Sequence, residues 1–415
     1  MSKKSVITLW IIAVLLGSGV TLLKFRKQDT GEAKTQRSRG QTLLESFPAT
    51  DVVEIQIKGL EESVTLSKKD NNWVVVQRAD YPANVATVNA LLRTVEEVKI
   101  NNAIEVGPSY GKRFGIDLTA TSKADHGTEL TFLNAKNENI KTLFLGKESE
   151  GGGRFIQNSA DTSGIYVTSE SFPTATADPK AWLDDSFLKV EKIKSIAVSA
   201  ADKPDQLDWK LTRATETAEF TLEGAQESEK LDNALTTPMK SLLSMARFQD
   251  VGPTAEFATL EKAADRRVAT IETIDGFTYV ITLAAKAKTD KPDAAKPEDG
   301  PPPQEDAYNM AVKVTATLAK ERTKAADEKP EDAKAKDEEF QTKIKALEEK
   351  LKTEQAFQNN VFEVSKYTID SLLKSRTELL SKAADNAGPQ PPPPGLTPLP
   401  SGALEAVTPP ISIEQ

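Results

Sequence analysis

Residues 51–100 constrain this chain more than any other stretch, because they spell out several strands and one amphipathic helix, and the same order returns in weaker form after Ile193. Val53, Ile55 and Ile57 alternate with Glu54, Gln56 and Lys58, while Val64 and Leu66 flank Thr65. A period of two is the mark of half-buried strands. A third strand is predicted at 73–76. Past the turn-prone residues 80–84, Val85, Val88, Leu91, Leu92, Val95 and Val98 recur at helical spacing and make one apolar stripe. A sheet covered by a helix follows from this pattern.

The first module continues with strand-like runs at 129–133, 143–145, 154–157 and 165–167, and a short helix is expected over 181–188. In the second copy, Ile196 and Val198 stand for the first strand, and Leu207, Trp209 and Leu211 alternate with polar neighbours, Trp209 taking the place of Trp73. Phe220 and Leu222 suggest another strand. The helical stripe returns as Leu231, Leu235, Met239, Leu242, Leu243 and Ala246, with Pro238 inside it, so a kink or two short helices are expected. Residues 257–260 take the place of Phe114-Gly115-Ile116-Asp117, and strands are predicted at 268–274, 277–283, 310–314 and 361–364.

Two insertions lengthen the second copy. Residues 286–306 mix Pro292, Pro297 and Pro301–Pro303 with charges, which leaves too little apolar surface to fold and predicts a disordered loop. Between Lys320 and Glu354, ten basic and eleven acidic residues alternate around Phe340, Ile344, Leu347 and Leu351. This predicts a charged helix over 331–357, packed by one stripe on its own module or, alternatively, used for self-association. Residues 383–415, rich in proline, read as an extended or disordered tail.

At the other end, residues 6–23 contain no charge, and eighteen residues at 1.5 Å each span roughly 27 Å, about the hydrocarbon thickness of a bilayer. The reading is a transmembrane helix between a short N-terminus, 1–5, and a polar linker, 24–50. A cleaved signal peptide with an apolar core at 6–16 is the alternative. Lys24, Arg26, Lys27, Lys34, Arg37 and Arg39 follow the segment, against Lys3 and Lys4 before it, and this count alone favours a cytoplasmic body. The modules then occupy 51–189 and 190–382.

Chemistry is scarce. The 415 residues include no cysteine and one histidine, so disulfides, thiolate nucleophiles and metal sites built on those side chains are excluded or starved of ligands. A net charge of −9, with lysines and arginines interleaved among acids, gives no footprint for nucleic acid. His126 lies in a loop and no G-x-S-x-G elbow accompanies it. Adjacent carboxylates at Glu96-Glu97, Asp184-Asp185 and Glu348-Glu349 point to different faces and make no acid/base couple. Gly107 to Lys112 has the wrong spacing for a phosphate loop, and Gly151-Gly152-Gly153 reads as a hairpin connection. No catalytic, cofactor-binding or metal-binding residue is therefore nominated, and Trp73 and Trp209 are assigned to packing.

The order of these features resembles DUF4340 domain-containing proteins. It is carried by the N-terminal apolar segment, the strand at 52–57, Asn72-Trp73-Val74-Val75, the helix with Val88-Asn89-Ala90-Leu91-Leu92, Phe114-Gly115-Ile116-Asp117, and Trp182-Leu183-Asp184-Asp185 with Phe187-Leu188 feeding 193–198. The match covers roughly 51–283, with a weaker extension to 380. What the resemblance implies is a bacterial inner-membrane protein, single-pass, with its body in the periplasm, against the charge count above. None of the motifs that carry it is catalytic, and the family has no known function. Some members are associated with ABC-type transport systems of the gliding-motility kind. That association, together with the scarcity of catalytic groups, leads to the expectation of a non-enzymatic accessory or scaffold subunit, without a cofactor, beside the permease or ATPase of such a complex. A module that binds an envelope polysaccharide or cell-wall polymer is the alternative.

Overall fold

The computed structural model describes residues 35–381 except 107, 201–202, 204, 253–254, 288–305 and 325–328. The apolar segment 6–23, nearly all of the loop expected at 286–306 and the tail 383–415 thus lie outside the described residues. Among the described residues no helix is long and apolar enough to cross a membrane.

The fold is α+β, with two antiparallel sheets. The first contains β1 (Glu54–Lys58), β2 (Ser63–Lys69), β3 (Asn72–Val75), β4 (Tyr81–Pro82), β5 (Ile100–Ile104), β6 (Thr128–Leu133), β7 (Asn139–Glu148), β8 (Arg154–Asn158) and β9 (Ile165–Thr168), in the order β4-β3-β2-β1-β6-β7-β8-β9-β5. The second contains β10 (Ile193–Ser199), β11 (Leu207–Thr212), β12 (Thr221–Leu222), β13 (Asp250–Gly252), β14 (Arg267–Thr273), β15 (Phe277–Ala285), β16 (Ala307–Ala316) and β17 (Val361–Ser365), in the order β12-β11-β10-β14-β15-β16-β17-β13. Leaving out β4, the two orders are the same strand for strand. The repeat read from alternating side chains is therefore a repeat of connectivity.

Helix α1 (Val85–Glu97) carries the chain from β4 at one edge to β5 at the other. Asn84 caps it by accepting the Thr87 N–H at 3.1 Å, and Val88, Leu91, Leu92 and Val95 face the sheet. The second module replaces this helix by α2 (Asn233–Thr236) and a 3-10 turn, Pro238–Ser241. Pro238 lacks the N–H that a continuous helix needs, and Leu243 at φ 61° turns the chain away, so Leu231 and Leu242 to Ala246 lie outside any helix. A short helical segment then leads into each fourth strand of the repeat: the 3-10 helix Pro108–Phe114 before β6, and α3 (Glu256–Lys262) before β14. Each sits over a satellite core, with Phe114, Ile116 and Ile165 in the first module and Leu260, Ala284, Ala311 and Val361 in the second.

Register corrects one assignment. In the first sheet Ile57 lies between Val64 and Leu130; in the second, Val198 lies between Trp209 and Ala269. Trp209 therefore stands where the first module has Val64, not Trp73. Leu222 opposite Leu211 corresponds to Val75 opposite Leu66, which puts Phe220 in the place of Trp73. Alternation alone could not separate the two because Trp209 and Trp73 both point inward, at 1% and 6% exposure. The larger indole beside the smaller alanine keeps the local volume near that of valine beside leucine.

The stretch expected as a linker is packed from residue 35 onward. Gly40 and Leu43 donate backbone N–H groups to Ile100 and Val98, at 2.7 and 2.9 Å, and Leu43, Leu44 and Phe47 are buried, Phe47 edge-on to Phe132. Three apolar side chains, worth about 1.5–3 kcal/mol each when fully buried, outweigh the polar composition around them. The helix expected over 181–188 is also corrected. Only Pro179–Trp182 is helical, and the chain then runs extended because its backbone pairs with the edge of the first sheet: Asn84 donates to the Trp182 carbonyl and Asp184 to that of Pro82.

Helix α4 (Pro330–Gln355) matches the predicted charged helix within two residues, and α5 (Lys366–Leu373) follows β17. All four apolar residues of the α4 stripe are half-buried, and of these Leu347 and Leu351 pack on the chain's own core. One apolar cluster runs without a break from Leu43 in the first module to Leu379 in the second.

Candidate functional site

The two sheets meet through side chains that lie far apart in sequence. Tyr81 on β4 packs edge-on to Phe248 and Phe362 at 5.7 and 5.9 Å. Phe187, on the extended connection between the modules, contacts Phe248, Phe357 and Phe362 at 5.3, 5.5 and 4.6 Å. These rings favour tilted and edge-to-face contacts, in which a positive ring edge meets a negative face. Beside them the Arg78 guanidinium grips Asp250 of β13 with both oxygens, Nε at 2.5 Å and a terminal nitrogen at 3.1 Å, and Lys180 stands 3.4 Å from the same carboxylate. Arg78 comes from the first module and Asp250 from the second, and both side chains are largely buried. The pair fixes how the modules meet.

Next to this joint lies a cavity of about 590 Å³, lined in part by Phe187, Lys189, Met245, Arg247, Lys350 and Glu354. The last turns of α4 bolt onto the inter-module connection there. Glu354, 4% exposed, accepts the Tyr279 hydroxyl at 2.6 Å and the Lys189 N–H at 3.1 Å. Lys350 bonds the Lys189 carbonyl at 2.7 Å and Glu191 at 2.9 Å, and its ammonium lies over the Phe277 ring. Burial pushes the Glu354 carboxyl above its ordinary range, against the three groups that favour the charged form: the Tyr279 hydroxyl, the Lys189 amide and the Lys350 ammonium. Burial, and the neighbouring Glu354, hold the Tyr279 phenol neutral. Tyr81 is likewise raised by burial, then by Asp184 and Asp185.

The cavity brings together ammonium, guanidinium and carboxylate groups that can hold a polar partner, around an exposed Met245 at 89%. Its lining holds no histidine, and its carboxylates are Asp185, Glu191 and Glu354, the last two close enough for Glu191 to raise the Glu354 pKa. Among the described residues no cluster of three or more histidine, aspartate or glutamate side chains could hold a metal ion.

The residues weighed in sequence are scattered. His126 lies in the loop before β6, half-buried, its amide donated to Ser122. Gly151-Gly152-Gly153 closes the β7–β8 hairpin through Ser149 to Gly153 bonds, and Gly152 and Gly153 have φ of 85° and 77°, where a side chain is strained. Asp184 and Asp185 lie beside Tyr81 at the joint, and Asp185 also lines the cavity. Tyr81, Arg78, Phe187, Asp250 and Glu354 escaped sequence reasoning. The one available signal was their apolar or charged character at positions that fit no local period.

Residues 73–267 match the model of DUF4340, a domain of unknown function. That stretch, a little under half of the chain, is similar to DUF4340 domains. The DUF4340 match begins in β3 and ends at the first residue of β14, so it straddles the joint and takes in Tyr81, Phe187 and Asp250. No curated protein and no solved structure matches this chain at a significant level.

Proposed function

We propose that the chain is a non-catalytic, membrane-tethered accessory or scaffold subunit of an ABC-type transport complex of the gliding-motility kind, with its body in the periplasm. The observation that carries this reading is the joint: two sheets of one connectivity are locked by an aromatic cluster and the Arg78–Asp250 pair into a body with one core. Such a body presents partners with surfaces held at a set spacing. The displaced titratable groups support it, since Tyr279 with Glu354, Asp275 with Lys192 and Lys343, and Glu229 with Arg376 are tied up in structural pairs. The charge-free segment 6–23 supplies the tether and the DUF4340 resemblance the kind of complex.

Two measurements test it. Crosslinking in intact membranes at native expression is expected to recover permease or ATPase subunits, and recovery of this protein alone counts against the reading. A reporter active only outside the cytoplasm, fused after Gln415, is expected to be active; an inactive but folded fusion overturns the placement. Retention on isolated cell-wall material without transporter subunits would replace the scaffold by a polymer-binding module.

A further inference from the structure

A second cavity, of about 410 Å³, opens at one end of the first sheet, where β1 turns into β2 and β7 into β8. Its size suits a small molecule. Arg154, the first residue of β8, reaches into its wall. The guanidinium Nε donates to the Gly146 carbonyl at 2.5 Å. The backbone of Gly146 passes so close to its neighbours that a Cβ there would come within 2.2 Å of the Phe114 carbonyl oxygen. Arg154 is thus held in place at one nitrogen with the rest of its fork uncommitted.

What the fork lacks is an anion. Arg78 and Arg376 are half-buried in the same way, and each grips a carboxylate with two nitrogens. Arg213 and Arg267 are buried, and each donates to two backbone carbonyls. Among the described residues no carboxylate is hydrogen-bonded to Arg154; burial lowers its pKa from the ordinary value, opposed in part by the charge of Glu148, its cross-strand partner on β7. A half-buried guanidinium whose nearest carboxylate does not bond it leaves N–H groups unpaired, and a planar fork with free N–H groups matches two oxygens of a carboxylate or phosphate. Lys123 and Lys147 line the same cavity and add positive charge, while Glu61 and Glu62 line it too. Asp178, also in the wall, already accepts the Lys180 N–H as a cap. The acids disfavour a polyanion and offer acceptors to hydroxyl groups.

We propose that this cavity binds a small hydroxylated ligand through one carboxylate or phosphate group, a sugar acid or sugar phosphate, with the oxyanion on the Arg154 fork and the hydroxyls toward Glu61 and Glu62. The proposal stands apart from the scaffold reading, and either can fail without the other.

Calorimetric titration of the full chain in detergent, with glucuronate, glucose 6-phosphate, inorganic phosphate and glucose as probes, tests it. Glucuronate or glucose 6-phosphate is expected to bind with Kd on the order of 1 mM or tighter, and glucose at least tenfold more weakly. Arg154→Met is expected to weaken the bound probe by about tenfold or more, with Arg154→Lys between the two, and an unchanged circular dichroism spectrum. Lys147 is exposed, so Lys147→Gln serves if Arg154→Met does not fold, with a loss of about threefold that salt mimics. Absence of binding by every probe to about 20 mM overturns the site, as does affinity indifferent to both substitutions. Inorganic phosphate binding as tightly as glucose 6-phosphate overturns the hydroxylated ligand class.

Discussion

Glu354 places a carboxylate against the phenol of Tyr279 and the backbone of the inter-module connection, and burial outweighs the donors that favour its charge. An acid whose folded pKa is raised binds its proton more tightly in the folded state. Its penalty is absent below the ordinary glutamate value of about 4.3 and grows as pH rises from there through the raised folded value. Asp275, Glu219 and Glu229 are shifted down and act the other way, losing stability as pH falls, so the difference between two proteins isolates the effect. Denaturant midpoints of the Glu354→Gln variant are expected to gain on the wild type as pH rises above about 4.3 and to level off once the raised folded pKa is passed. A constant difference would mean that the Glu354 pKa is the same in the folded and unfolded states. At the joint, Asp250→Asn strips the partner from the largely buried Arg78 and is expected to cost about 3 kcal/mol or more, measured by urea unfolding.

Among the elements, α4 divides along its length. Its last three turns are pinned by Leu347, Leu351, Lys350 and Glu354, whereas the first turns are held by Arg322 and Lys324 on Asp337. Leu351→Ala is expected to cost about 2 kcal/mol, and Phe340→Ala under about 1 kcal/mol, in the same urea measurement. Equal costs would show that the whole seam is load-sharing. Element by element, the inner strands were legible because Ile55, Ile57, Leu130, Ile196 and Ile271 alternate with polar neighbours and each sits on a half-buried face. β4, β5 and β13 were not. Two have three residues or fewer, and β5 shows Asn101 and Asn102; all three exist because a tertiary neighbour, β3, β9 or β17, offers hydrogen bonds. The linker and the 181–188 segment were misread for the same reason, since backbone pairing across the fold leaves no local period.

At the scale of the whole molecule, the joint was illegible because Tyr81 and Phe362 are brought together over most of the chain, and the Arg154 cavity because five separate segments build its wall. The unbroken core makes a further expectation. Slowest-exchanging amides of β1–β2 and of β10–β11 are expected to share one opening free energy by native-state hydrogen exchange, and two distinct values would show modules that unfold independently. Two sheets of one connectivity in a single chain also expose folding to a particular error, the pairing of a strand with its counterpart's neighbours. The reversed sizes around Ile57 and Val198 discriminate against it. A hybrid with Trp209 and Leu130 flanking one strand would be overfilled, and one with Val64 and Ala269 would leave a void. The substitution that obscured the repeat in the sequence therefore acts as a proofreading mark, rejecting cross-paired sheets while the chain is still assembling.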